Sequence, residues 1–189
     1  MKVKKIKLPG EELIEKLIVA VGDDPTREGL KETPRRVVLS WRELFRGYSM
    51  DPKDLIKTFS DVENYDQIVL LRRIEFHSFC EHHMLPFTGR GHVAYLPQDK
   101  VIGISKLARL LDIYSKRLQI QERIGQQVTK ALDKYLEPKA SACILVAKHQ
   151  CMSCRGVNKQ DSEMITSSLT GLFRQPQVKA ELFSMIGDM

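Results

Sequence analysis

Two short stretches bring thiols and imidazoles closer together than anywhere else in the chain: Phe79-Cys80-Glu81-His82-His83-Met84-Leu85-Pro86 and His149-Gln150-Cys151-Met152-Ser153-Cys154-Arg155-Gly156. Such side chains bind borderline-soft metals and move protons near neutral pH. Cys80 and His83 stand three residues apart, so a single turn can aim both at one point, and Cys151 can add a third ligand from a distant segment. Thiolate plus imidazole selects zinc among the common divalent ions, because magnesium and its like prefer oxygen.

Two arrangements satisfy this spacing. In the closed one, Cys80, His83, Cys151 and Cys154 make a structural zinc that staples two segments, as the C-x-x-H and C-x-x-C intervals permit. In the open one, three ligands leave a fourth position for water, and His82 and His149 are free for proton transfer. The surplus of titratable groups favours the open site, since a structural zinc has no use for extra imidazoles, whereas hydrolysis needs a proton acceptor and a donor.

These residues need a scaffold, and 189 residues are enough for one domain with a real core, preceded by a small helical extension. The apolar fraction of 42% is ordinary, and no apolar run reaches the length of a membrane span. The start, Met1 to Gly10, is basic but lacks the apolar core of a signal peptide, which reads as cytoplasmic. Cysteines clustered with histidines fit reduced thiols better than disulfides. A net charge of +6 points to an anionic partner. Aromatics are only 7% of the residues and no recognition helix or polybasic tail is visible, which argues against nucleic acid.

Helical periodicity over Glu11–Val21 turns Leu13, Ile14, Leu17, Ile18 and Val21 inward, and Gly22 stops it. Thr33-Pro34 reads as an N-cap and first-turn proline for a helix to about Phe45, with Val37, Val38, Trp41, Leu44 and Phe45 inward. Arg35 and Arg36 in its first turn are either solvated or poised to capture an anion with the free amides. Asp51-Pro52 caps a short helix. A strand over Ile68–Phe76 runs into the metal turn, and Gly89–Leu96 is its partner. His77 and His92 read as ordinary polar strand residues. Ser105 caps a helix with Leu107, Leu110 and Leu111 inward. A second helix, from about Gln119, turns Ile120, Ile124, Val128, Ala131, Leu132 and Tyr135 to one side. Ser141–Lys148 is a compact strand delivering His149 and Cys151. Glu163–Leu172 is a last strand, and a short helix ends the chain. The expected fold class is α+β, an antiparallel sheet with both helices on one face, whose other face needs cover and whose open edges imply an oligomer. The domain division is an N-terminal helical region, 1–66, and a core domain, 67–189.

Several motifs in this order resemble the GTP cyclohydrolase I family of the zinc-dependent type, in the tunnelling-fold group. They are Arg27 to Val37, Cys80-Glu81-His82-His83, Ile102 to Arg109, Arg117 to Arg123, and His149-Gln150-Cys151-Met152 with Arg155-Gly156-Val157. The likeness covers nearly the whole chain. It implies a ββααββ core closing into a homodecamer of two pentamers with active sites at subunit junctions. It also implies conversion of GTP and water to 7,8-dihydroneopterin triphosphate and formate, the entry to folate or biopterin synthesis. Carried over by position, Cys80, His83 and Cys151 would hold Zn2+, and His82 and His149 would move protons. Glu122, with Gln121 beside it, would hold guanine. Ser105, Lys106, Arg109, Arg155 and a neighbouring subunit's Arg36 would surround triphosphate and ribose.

The chemistry agrees: opening the imidazole ring of guanine requires hydroxide at C8 and a protonated ring nitrogen. A carboxylate can accept both N1–H and the exocyclic amine of guanine, a pairing adenine does not offer. On periodicity alone Glu122 reads as a solvated helix residue. Cys154 and Lys139 to Cys143 depart from the family pattern without touching a catalytic position. Two other classes stay in view, a non-catalytic zinc-stapled module for a purine or pterin and a basic nucleic-acid-binding protein.

Overall fold

The computed structural model describes residues 7–59 and 65–187. The basic start, 1–6, lies outside the described residues. The chain divides into two compact units, Met1–Arg46 and Gly47–Met189.

The first unit pairs α1 (Glu11–Ala20) with α2 (Thr33–Leu44). Ile14, Ile18 and Val38 are buried between them, with Leu8, Leu30 and Val37 packed alongside. Two helices bury only one narrow stripe each, so Leu13, Leu17 and Val21, inward by periodicity, are exposed in this unit, as is Trp41. Thr33 is not a cap: it is the first residue of α2, after Glu32, and no side chain closes that end.

The second unit opens with α3 (Pro52–Leu55), where the Asp51 carboxylate accepts from Lys53 N at 2.8 Å, the expected cap. In order follow β1 (Thr58–Phe59), β2 (Val69–Cys80), β3 (Pro86–Leu96), β4 (Val101–Ile102), α4 (Ile104–Ser115), β5 (Leu118–Gln119), α5 (Gln121–Tyr135), β6 (Ala140–His149), α6 (Gln150–Ser153), β7 (Met164–Leu169) and α7 (Pro176–Ile186). β1 and β4 form a small antiparallel pair. The main sheet has the order β5-β2-β3-β6-β7. All neighbours are antiparallel except β5, which runs parallel to β2 with Phe79 opposite Leu118 and Cys80 opposite Gln119. The sheet is therefore mixed, not purely antiparallel, because the link between α4 and α5 lays two residues along the end of β2.

Alternation along the strands sorts side chains to two faces. Phe76, Phe87, Val93, Tyr95, Cys143 and Leu145 meet Leu107, Leu110 and Leu111 of α4 and Ile124, Val128 and Leu132 of α5 in one core. Burial of each large apolar side chain there contributes about 1.5–3 kcal/mol. The opposite face supplies Ala94, Leu96, Ala142 and Ile144, covered by Phe173, Leu182 and Ile186 from the end of the chain. That face gets part of its cover from within the subunit. α4 begins at Ile104 behind Gly103 with no side-chain cap, so Ser105 lies inside the first turn instead of capping it.

β3 and β6 must approach closely to carry their ends to the site. At Gly89, paired with Ala147, an added Cβ would collide with Val146 O and lie 2.6 Å from Ala147 Cα. Backbone cannot yield there as a flexible side chain would. Gly89→Ala is expected to destabilise the protein by about 1–3 kcal/mol, the usual cost of overpacking, measured by denaturant unfolding against the parent.

Candidate metal centre and catalytic pocket

The metal turn is a strand end whose backbone closes on itself. Cys80 N donates to Leu85 O at 2.9 Å and Met84 N to Cys80 O at 2.8 Å, while Glu81 N reaches Gln119 O in β5 at 3.0 Å. Met84 takes a positive φ of 54° to complete the turn. Cys80 and His83 thereby converge, with Sγ 3.8 Å from Nδ1. Cys151, in the single turn of α6 after β6, joins them, and the three ligand atoms all lie within 4.8 Å of one another. Cys154 is exposed and is not part of this group among the described residues. Burial first, and then the neighbouring Cys80 thiol, push the Cys151 thiol above its ordinary value. Two thiols crowded beside an imidazole nitrogen are a donor set that a thiophilic dication suits, and among common ions that is zinc.

The imidazoles beside the ligands are held very differently. His82 is exposed, its side chain 64% accessible, and its Nε2 stands 3.9 Å from Glu81. Glu81 is gripped by both terminal nitrogens of Arg123 on α5, one at 3.1 Å, and this guanidinium holds the carboxyl below the usual carboxylate range. The pair ties the metal turn to the start of α5. His149 is half-buried and stacked on Phe87, centroids 4.3 Å apart and planes 5° from parallel. Burial lowers its pKa, partly offset by the Glu122 charge.

Gln121 sets the tautomer of His149. The residue is 1% exposed. Its Nε2 donates to Leu145 O at 3.0 Å and Met164 O at 2.9 Å, with Thr166 Oγ1 at 3.1 Å. Two carbonyls can only accept, so the amide orientation is fixed and Oε1 must face His149 Nε2, at 2.9 Å. An amide oxygen cannot donate, so Nε2 carries the hydrogen and the neutral ring keeps its lone pair on Nδ1.

Cys80, Cys151, His82, His149, Gln121 and Glu122 share the wall of one cavity of about 410 Å³. The sequence-based candidates separate accordingly. Cys80 and Cys151 of the metal group, both imidazoles and Glu122 converge on this wall, and His83 meets the two thiols in the metal group; the Gln121 amide converges too, but its polar atoms are already engaged within the chain. Ser105, Lys106, Arg109 and Arg155 do not line this cavity. Ser105, Arg109 and Arg155 are exposed, and Arg155 donates to Cys151 O at 3.4 Å. Arg36 is exposed in the first unit, where Arg35 lies 3.6 Å from Glu11. Sequence reasoning missed Phe87 and Arg123 as supports. The signal for Arg123 was there: Glu81 lies between two ligands and calls for a counter-charge.

Water activated beside a bound heterocycle, with imidazoles and a carboxylate to move protons and hold the ring, is the chemistry of a metal-assisted small-molecule hydrolase. The family model described as GTP cyclohydrolase I matches residues 10–187. GTP cyclohydrolase 1 of Wolinella succinogenes is 46% identical over 183 residues, covering 97% of each chain. That of Sinorhizobium fredii is 45% identical over 178 residues, 93% of this chain and 87% of the relative. Among solved structures, the archaeosine synthase QueF-Like in the apo form overlaps 55% of this chain and 93% of its own at 15% identity and a TM-score of 0.45. The chain belongs to the GTP cyclohydrolase I family. No helix among the described residues is long and apolar enough to cross a membrane.

The four thiols differ in a way that labelling can read. Burial pushes Cys143 up to about 12, whereas Cys154 is exposed. In folded, metal-free protein at pH 8, Cys154 is expected to react with a chromogenic disulfide at the rate of a free thiol, and Cys143 only after denaturation.

Proposed function

We propose that this GTP cyclohydrolase I works as a zinc enzyme, converting GTP and water to 7,8-dihydroneopterin triphosphate and formate in the cavity between the metal turn and α5. The observation that carries this reading is the convergence on one cavity of two thiols of the metal group, two imidazoles and Glu122. Cys80, His83 and Cys151 would hold the zinc, whose Lewis acidity brings the pKa of water from about 15.7 to about 7.

The remaining work falls to the chain's own side chains. Glu122 accepts N1–H and the exocyclic amine of guanine, which selects GTP over ATP. His149 presents Nδ1 as the proton-accepting atom, its Nε2–H held by Gln121. His82, exposed on the same wall, exchanges protons with solvent and serves the leaving nitrogen. Gln121 supports the ring by fixing His149. Ser105, Lys106, Arg109 and Arg155, with the neighbouring subunit's Arg36, surround the triphosphate. None of the four from this chain's second unit lines the cavity, which suits a site completed at a subunit junction.

The finer fold assignment belongs to the same reading: a tunnelling fold of ββααββ type over residues 67–189, an N-terminal helical region over 1–66, and a cytoplasmic homodecamer of two pentamers. It is supported by the sheet edge at β7, where Ile165 is exposed on a strand with a neighbour on one side only. Free cysteines agree with a reducing compartment.

Zinc-loaded protein given GTP should release formate and a pterin that fluoresces after oxidation in equal amounts; formation of neither would overturn the assignment. His82→Ala and His149→Ala should each retain zinc while turnover falls by roughly 10²–10⁴-fold, the usual worth of a proton-transfer group. Cys80→Ala or Cys151→Ala should lose the metal, and Cys154→Ala should keep both metal and activity. Zinc loss in Cys154→Ala would restore the closed site. Glu122→Gln should reduce kcat/KM for GTP about tenfold to a hundredfold, as expected for losing hydrogen bonds to a charged group worth about 1.5–3 kcal/mol.

A further inference from the structure

The sheet face that α7 leaves uncovered carries a second cavity, of about 740 Å³, whose basic residues have no part in the assignments above. Arg73 of β2, Arg90 of β3 and Lys148 of β6 line it, and among the described residues none of these three has a hydrogen-bond or ion-pair partner on its side chain. Glu75 and Glu163 stand on the same walls without pairing them, although Glu75 lies directly opposite Arg90 in the β2–β3 ladder. Three unpaired cations beside two available carboxylates form an arrangement that a mutually neutralised surface would not keep.

His92 lies on the wall of this cavity. The residue is only 2% exposed, yet its Nδ1 is buried with no partner. Native folds seldom leave such an atom unsatisfied, because its lost hydration is not replaced, so it calls for an explanation. The backbone opposite is just as unusual. Register in the ladder passes from Leu71 opposite Val93 to Ile74 opposite Gly91, so Arg72 and Arg73 together face His92 in a bulge. Arg73 there adopts φ 58°, a left-handed conformation that costs a non-glycine residue energy and recurs at functional positions. A bulge re-aims side chains. Arg72 is turned to the end of α7, donating to Ile186 O at 3.1 Å, while Arg73 lines the cavity. Burial, then the charges of Arg72, Arg73 and Arg90, hold the His92 pKa below its ordinary value, which marks a positive field at that spot.

We infer that this cavity is a binding site for a phosphate-bearing anion, held by Arg73, Arg90 and Lys148 over the buried edge of His92. Guanidinium forks suit phosphate oxygens, and the ammonium adds charge from the neighbouring strand. Glu75 and Glu163 then accept from hydroxyl or amine groups on the rest of the ligand, so an organic phosphate fits better than a bare ion. Glu163 also lines the catalytic cavity, so the two cavities share a wall at that residue.

The test uses full-length, zinc-loaded protein carrying Arg155→Gln, which weakens the proposed triphosphate subsite, titrated calorimetrically with pyrophosphate and with ribose 5-phosphate at constant ionic strength. Saturable binding is expected for both, at least tenfold weaker after Arg90→Gln, and likewise after Lys148→Gln, which alters a different strand and covers the case where one variant misfolds. Tighter binding of ribose 5-phosphate than of pyrophosphate identifies an organic phosphate, and the reverse order a simple polyanion. Labelled His92 should shift its ring resonance on saturation. Absence of saturable binding, equal affinity with and without Arg90 and Lys148, or an unmoved His92 resonance would overturn the proposal. Failure here leaves the cyclohydrolase reading untouched, since formate release is measured without these probes.

Discussion

A single neutral amide, buried where α5, β6 and β7 meet, is the constraint on which the site depends. Gln121 cannot be moved without stranding Leu145 O and Met164 O in a low-dielectric interior, and it cannot be flipped without setting its own amide oxygen against those two carbonyl oxygens. Its remaining oxygen therefore dictates which nitrogen of His149 bears hydrogen. The sheet ladder thus reaches the proposed proton-transfer atom through one side chain. On the other side of the cavity Arg123, two residues along the same helix, grips Glu81 inside the metal turn. The first turn of α5 consequently holds both halves of the site, with Glu122 between the two anchors.

Much of this was legible from residue types. Strands read over Ile68–Phe76 and Ser141–Lys148 from their β-forming residues are present as Val69–Cys80 and Ala140–His149, the first running on into the metal turn, and the C-x-x-H and distant Cys151 spacing named the metal group that the turn assembles. Periodicity failed where a tertiary or capping choice decides. Leu13 and Leu17 repeat at helical spacing, but one partner helix covers only one stripe of α1. Thr33 and Ser105 have the chemistry of caps, yet α2 starts one residue early behind Glu32 and α4 two residues early behind Gly103. β5 is too short to leave any pattern; it exists because its backbone answers the free edge at Phe79 and Cys80.

His92 marks the opposite limit. Sequence gave no reason to separate it from His77, since both alternate with apolar neighbours in strands. In the fold His77 meets Lys116 Nζ at 2.6 Å, whereas His92 is sealed across from a two-residue bulge. Only a register shift, which depends on the pairing of two strands, distinguishes them.

The stack of His149 on Phe87 has a thermodynamic side. An imidazole clamped between an aromatic face and an amide has spent its rotational freedom during folding, not during the reaction. Loosening that clamp by trimming Phe87 would leave the chemical groups intact, and its effect on turnover would be carried by a more negative entropy of activation while the enthalpy stayed nearly level.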